Sequence, residues 1–193
     1  MKKNTYILCL YLFLLSTLSV YSQTPQISWW YDIKDDAFGN SAMADFDMDG
    51  KPEIVFSDYR NDSCVYVLNA EDGSLLWKYN TGGCNDVAPL IYDVDGDGMF
   101  DFVVATWSFI DSNKIYAYRA HDQQLLWGNS MPQDYIYHGV SYADLDDEGK
   151  PELVIGSYNG TLHVLNGEDG SLFWKHEYPY WLHWCTYFTS GLE

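Results

Sequence analysis

The apolar positions of this chain fall into short runs that recur at a fixed distance. Glu53-Ile54-Val55-Phe56 is followed by an alternating run, Cys64-Val65-Tyr66-Val67-Leu68, then by a turn and a third run, Leu75-Leu76-Trp77. The order returns as Phe102-Val103-Val104-Ala105, Lys114-Ile115-Tyr116-Ala117-Tyr118 and Leu125-Leu126-Trp127. It returns again as Leu153-Val154-Ile155-Gly156, Thr161-Leu162-His163-Val164-Leu165 and Leu172-Phe173-Trp174. Runs this short, rich in β-branched and aromatic residues and without a 3.6-residue period, predict strands. A small-residue run precedes each set, at Asn40–Ala44, Val87–Ile91 and Gly139–Ala143, and supplies a fourth strand.

The tryptophans Trp77, Trp127 and Trp174 are 50 and 47 residues apart, and Trp30 lies 47 before Trp77. Ile27-Ser28-Trp29-Trp30-Tyr31 is therefore expected as a leading copy of the tryptophan strand. Four short strands in each period match one β-propeller blade. The expectation is an all-β chain of four-stranded antiparallel blades, three blades plus a leading strand, forming an incomplete or open propeller. The repeat domain spans 23–177, with blades at about 40–80, 87–130 and 138–177. Asp72-Gly73 and Asp169-Gly170 are hairpin signals, since glycine accepts the positive φ of the turn. The middle copy has Asp122-Gln123, which predicts a slightly different turn.

Between the first and second strand of every blade lies an acidic loop. The loops are Asp45-Phe46-Asp47-Met48-Asp49-Gly50-Lys51-Pro52-Glu53, Asp93-Val94-Asp95-Gly96-Asp97-Gly98-Met99-Phe100-Asp101 and Asp144-Leu145-Asp146-Asp147-Glu148-Gly149-Lys150-Pro151-Glu152. Carboxylates at positions 1, 3, 5 and 9 of a curled loop turn hard oxygen donors toward one centre, the chemistry that suits Ca²⁺, and a glycine at position 6 permits the sharp turn. An EF-hand would need a glutamate at position 12 and flanking helices. That position holds Phe56, Val104 and Ile155, and strands flank the loops, so an EF-hand is excluded.

This arrangement resembles FG-GAP (VCBS-type) repeats, the calcium-loop blades of integrin alpha propellers and of many exported bacterial proteins, from about Ile27 to Glu177. The stretch from Leu68 to Trp77 is also similar to the tryptophan-bearing repeat of quinoprotein-type (PQQ-like) propellers. The resemblance implies calcium ligands at Asp45, Asp47, Asp49, the Lys51 carbonyl and Glu53. It implies the same of Asp93, Asp95, Asp97, the Met99 carbonyl and Asp101, and of Asp144, Asp146, Glu148, the Lys150 carbonyl and Glu152. Glu148 is longer than the aspartate of the other copies, so the third site is expected to be the weakest. The resemblance also implies a ligand face opposite the metal loops, at Asp58–Asp62, Trp107–Asp111, Gln133–His138 and Tyr158–Gly160.

Composition narrows the picture further. Residues 1–22 read as a secretory signal: Lys2 and Lys3, an apolar core from Ile7 to Leu18, and a cleavage site after Ser22. A secreted, periplasmic or cell-surface protein follows, with no membrane span after cleavage. Removal of Lys2 and Lys3 takes the net charge from −18 to −20, and 13 of the 28 acids sit in the three loops. That balance argues against nucleic acid as a partner. Cys64 and Cys84 could close a disulfide in such a protein, leaving Cys185 unpaired once Cys9 departs with the signal. Tyr178 to Glu193 is an aromatic tail off the repeat. No aspartate marks the further loop due near Ser190, which suggests a truncated copy or an open fan of blades that self-associates.

No Gly-x-Ser-x-Gly occurs, and the histidines at 121, 138, 163, 176 and 183 have no metal-ligand spacing. The tryptophans are expected to pack between blades rather than hold a quinone, and no adjacent cysteine pair is present. The function expected is that of a calcium-binding module for binding, cell adhesion or scaffolding, with a protein or glycan ligand and no catalysis of its own. The alternative is a truncated or non-catalytic part of an exported polysaccharide-active or quinone-dependent enzyme.

Overall fold

The computed structural model describes residues 25–33, 35–85, 87–108, 113–131, 135–137 and 139–179. The expected signal, Cys185 and all of the tail beyond Pro179 lie outside these residues. The chain divides into two units, one ending at Trp30 and one beginning at Tyr31. In the first, residues 25–30 form no strand. Tyr31 likewise lies outside any strand, so the leading strand expected at Ile27–Tyr31 is corrected. A tryptophan strand is the outermost of its blade and needs a third strand to pair with. In each of the three sheets that follow, the third strand is already paired on both edges.

The second unit is built of strands β1 (Ala42–Ala44), β2 (Glu53–Ser57), β3 (Cys64–Asn69), β4 (Leu75–Asn80), β5 (Leu90–Tyr92) and β6 (Asp101–Thr106). It continues with β7 (Asn113–Arg119), β8 (Gln124–Met131), β9 (Ser141–Ala143), β10 (Glu152–Gly156), β11 (Thr161–Asn166) and β12 (Leu172–Glu177). They pair in chain order into three four-stranded antiparallel sheets, β1–β4, β5–β8 and β9–β12. The registers coincide: Ala44 faces Glu53, Tyr92 faces Asp101, and Ala143 faces Glu152. A register shift recurs beside each tryptophan, at Val67/Leu68, Ala117/Tyr118 and Val164/Leu165. Such a bulge re-aims the side chains of the outer strand.

Side-chain alternation explains the packing. Along β6, Phe102 and Val104 join the core shared with the first sheet, and Val103 and Ala105 join the core shared with the third. With both faces covered, every residue of β6 is buried. Trp77 stacks on Phe102 with ring centroids 5.5 Å apart. The Trp127 indole N–H donates to the Gly167 carbonyl at 3.0 Å, and the Tyr92 hydroxyl donates to the same oxygen at 2.9 Å. Trp77 and Trp127 are each 9 % exposed, while Trp174, on the outer sheet, is 42 % exposed. Trp77 and Trp127 thus pack between sheets, as expected, while Trp174 has no sheet beyond its own among the described residues.

The middle turn differs slightly, as expected: β8 starts one residue earlier than β4 and β12, with Gln124 paired to Arg119. Gln123 adopts φ 64°, beside 72° at Gly73 and 68° at Gly170, so all three turns share the left-handed residue. The tight hairpin dictates that backbone whatever side chain stands there. One local expectation is corrected: Cys64 and Cys84 are both buried and form no disulfide with each other. The Cys64 thiol donates to the Asp62 carbonyl at 3.2 Å, and Cys64 faces Asn80 across the sheet. From there the chain leads away, and Cys84 forms a bridge with Trp107 of the second sheet. No described helix is long and apolar enough to cross a membrane.

Candidate functional site

Each acidic loop closes on its own carboxylates. The position-1 aspartates accept the backbone N–H of the position-6 glycine: Asp45 from Gly50, Asp93 from Gly98 and Asp144 from Gly149, each at 2.9 Å. These glycines take φ of 87°, 88° and 83°, a backbone that only glycine adopts without strain. The position-9 carboxylates reach back to the N–H of position 2: Glu53 to Phe46 at 2.7 Å, Asp101 to Val94 at 3.0 Å and Glu152 to Leu145 at 2.7 Å. One residue opens the second strand, and its carboxylate thereby staples the loop that precedes it.

Position 9 is also the buried acid, at 1 %, 0 % and 3 % exposure for Glu53, Asp101 and Glu152. Burial pushes the Asp101 carboxyl up to about 6, with Asp95 and Asp97 adding to the rise and the Val94 N–H opposing it. Burial likewise raises Glu53, against the Phe46 N–H. One oxygen of Asp45 and one of Asp101 are buried with no hydrogen-bond partner. A buried, unpaired carboxylate is costly unless a cation meets it.

In each loop the acids at positions 1, 3 and 9 bring one oxygen apiece within 4.8 Å of one another: Asp45, Asp47 and Glu53; Asp93, Asp95 and Asp101; Asp144, Asp146 and Glu152. Two oxygens that share an ion at about 2.4 Å from each are at most about 4.8 Å apart, so these groups could hold a metal ion. Asp49 and Asp97 at position 5 accept the N–H of Lys51 and Met99, each at 2.8 Å. Glu148 donates its own N–H to Asp146 at 3.2 Å. Lys51 and Lys150 send their ammonium groups to Glu71 at 2.6 Å and Glu168 at 3.3 Å. At the second loop Arg119 grips Asp95, a contact that the sequence spacing did not announce.

The residues that follow β2, β6 and β10 form a second feature. Tyr59, Trp107 and Tyr158 occupy equivalent positions, and the backbone N–H of each bonds to the segment before the first strand of its sheet. Tyr59 donates to Asp36 at 2.8 Å, Trp107 to Cys84 at 3.0 Å and Tyr158 to Tyr135 at 2.8 Å. Their rings join in a row: Phe38 to Tyr59 at 4.8 Å, Tyr59 to Trp107 at 6.1 Å, Trp107 to Tyr137 at 4.9 Å and Tyr137 to Tyr158 at 5.5 Å. The acidic loops enter the start of these strands and the row lies at their far end. A five- to six-residue strand separates them by about 17–20 Å.

The structure sorts the residues expected on this face. Tyr59, Tyr135, Tyr137 and Tyr158 are partly exposed, and Arg60 lies 5.5 Å from the centre of the Tyr59 ring. Trp107 is buried beneath the row, and Ile136 belongs to the core. Asp58 is buried too, accepting the N–H of Cys64 at 2.7 Å and of Asp62 at 3.1 Å, which makes it a brace for its loop. Residues 109–111, 133–134 and His138 lie outside the described residues. His163 is buried on β11. Phe38 was missed by the sequence reading. Its offset of four residues before β1, the same as that of Tyr137 before β9, is the signal that finds it.

The comparisons with known proteins agree with this geometry. BamB from Moraxella catarrhalis is similar at 18% identity with a TM-score of 0.51, covering 78% of this chain and 40% of that one. The computationally designed Ika4 protein is similar at 15% identity with a TM-score of 0.56, covering 79% and 80%. A quinohemoprotein alcohol dehydrogenase from Pseudomonas putida HK5 is similar at 12% identity with a TM-score of 0.50, covering 65% and 25%. The chain thus spans well under half the length of BamB and of the dehydrogenase. These likenesses establish the β-propeller fold, and no curated protein matches. The FG-GAP-like repeat profile matches residues 45–104 and 93–155, more than half of the 193 residues and all three acidic loops. The chain belongs to the FG-GAP-like repeat family.

Proposed function

We propose that this chain is an exported, calcium-stabilised propeller module that binds a glycan or protein ligand along its aromatic row. The observation that carries this reading is the separation of the two features at opposite ends of the same strands. Three acidic loops built around buried carboxylates fix one end of each sheet. Rings from all three sheets are aligned at the other end.

The acids at positions 1, 3 and 9 would hold calcium, together with the position-5 carboxylates and the carbonyls of Lys51, Met99 and Lys150. The ion would supply charge neutralisation, which matters most at Asp101. The chain's own part is to bury the position-9 acid and to curl the loop around it. At the far end, Tyr59, Tyr137 and Tyr158 offer partly exposed ring surface beside Arg60, the mixture of apolar faces and polar tips found at binding hot spots. The signal at 1–22 and an extracellular or periplasmic destination belong to the same reading. A second reading, a non-catalytic part of an exported quinone-dependent enzyme, draws on the likeness to the quinohemoprotein alcohol dehydrogenase.

The test is binding of the full chain to arrayed neutral glycans and to surface proteins, repeated with Tyr59→Ala and Tyr137→Ala. Each variant is expected to weaken binding on the order of tenfold or more, as for a central aromatic contact, with calcium binding intact. Unchanged binding by both variants places the ligand elsewhere. A quinone chromophore bound by the chain would favour the second reading.

A further inference from the structure

By its sequence the second loop is the best formed of the three, with four aspartates and a glycine at both positions 4 and 6. The structure gives it a feature that the other loops lack. Arg119 ends β7 at the strand position that Asn69 and Asn166 hold in the other sheets. Those asparagines turn to the hairpin and donate to Ser74 and Ser171. The arginine turns to the loop: its Nε donates to Asp95 Oδ2 at 2.8 Å, and Nη2 bonds the same oxygen. Its Nη1 lies 3.3 Å from Asp122, and Nε lies 3.9 Å from Asp97. The ion pair is only partly exposed, at 28% and 20% for the two side chains. Among the described residues no ion pair reaches the equivalent Asp47 or Asp146.

We infer that Arg119 is a built-in competitor for the second loop, setting its calcium affinity below that of the first. This rests on the calcium reading above. A divalent ion bridging Asp93, Asp95 and Asp101 must draw on the carboxylate that the guanidinium already holds, and it then sits within a few ångströms of a fixed positive charge. Repulsion of a double charge by a single one at roughly 5 Å, even at a water-like dielectric, weakens binding on the order of tenfold. The cation at the first loop is a weaker opponent: Lys51 is more exposed, is paired to Glu71 at 2.6 Å, and stands 3.9 Å from Asp49 without a hydrogen bond to it.

The experiment titrates calcium into full-length chains that keep one loop each, by calorimetry at fixed ionic strength. Asp45→Asn with Asp144→Asn leaves the second loop, and Asp93→Asn with Asp144→Asn leaves the first. The first loop is expected to bind more tightly than the second. Arg119→Gln in the second-loop background is expected to tighten binding about tenfold, and Arg119→Lys, which keeps the charge without the two-pronged grip, to fall between. Unchanged or weaker binding in both Arg119 variants overturns the inference and makes the arginine a support for Asp95. Loss of calcium binding in every chain, the parent included, overturns the calcium reading itself and this inference with it.

Discussion

Replacing Trp127 by alanine is expected to lower the stability of the chain by about 3–5 kcal/mol, the usual cost of deleting a buried large aromatic. The indole fills the interface between the second and third sheets, and its N–H shares the Gly167 carbonyl with Tyr92. It also lies against Gly170, where an added Cβ would stand 2.4 Å from the ring. Trp174→Ala is the control. Its side chain holds the matching place in its own sheet but is 42 % exposed, so the expected loss is under about 1 kcal/mol. Denaturant unfolding of both variants measures the difference. Equal losses would mean that the two tryptophans stand in equivalent surroundings, against the packing described above.

Asp101→Asn is expected to act in opposite directions with and without calcium. The asparagine keeps an oxygen for the Val94 N–H but removes the charge. In calcium the second loop should lose affinity on the order of a hundredfold, and the variant should melt below the parent. In chelator at neutral pH it should melt above the parent, because a buried carboxylate without a counter-ion has been removed. The pH dependence follows from the same group. Its folded value of about 6 exceeds the ordinary 3.8. Between those values the folded chain holds the proton that the unfolded chain has lost. The contribution of Asp101 to stability is therefore fully present below about pH 3.8 and lost as pH rises through about 6. Chelated parent should show this decline, calcium should reduce it, and Asp101→Asn should keep only the part left by other raised acids such as Glu53 and Asp58. Thermal unfolding across that window reads all three.

Much of this architecture was legible because a repeat declares itself several times. The recurrence of Trp77, Trp127 and Trp174, each after the same two strands, carried the blade count without any single strand having to be certain. The acidic loops were equally plain, since ligand spacing is local and lies within nine consecutive residues. What escaped notice depends on contacts between distant residues. Arg119 meets Asp95 across 24 residues, where the other two copies carry asparagine. Gln123 accepts a left-handed backbone because the hairpin on either side leaves it no other. Ile136 reads as one ring-flanked position of a surface loop, yet it turns into the core between Tyr135 and Tyr137. The expected strand at Ile27–Tyr31 matched the tryptophan pattern, but sequence likeness cannot supply a pairing partner.

The acidic loops are proposed as calcium sites that hold the sheets in place. Thermal unfolding of the full chain, titrated with calcium and then with chelator, tests that proposal most directly. Free calcium at about ten times the Kd stabilises by on the order of 1.4 kcal/mol for each filled loop, or about 3–6 °C for a chain of this size. A midpoint that climbs with calcium, saturates and falls back in chelator is the predicted result. A midpoint indifferent to both would make the three loops acidic turns and nothing more.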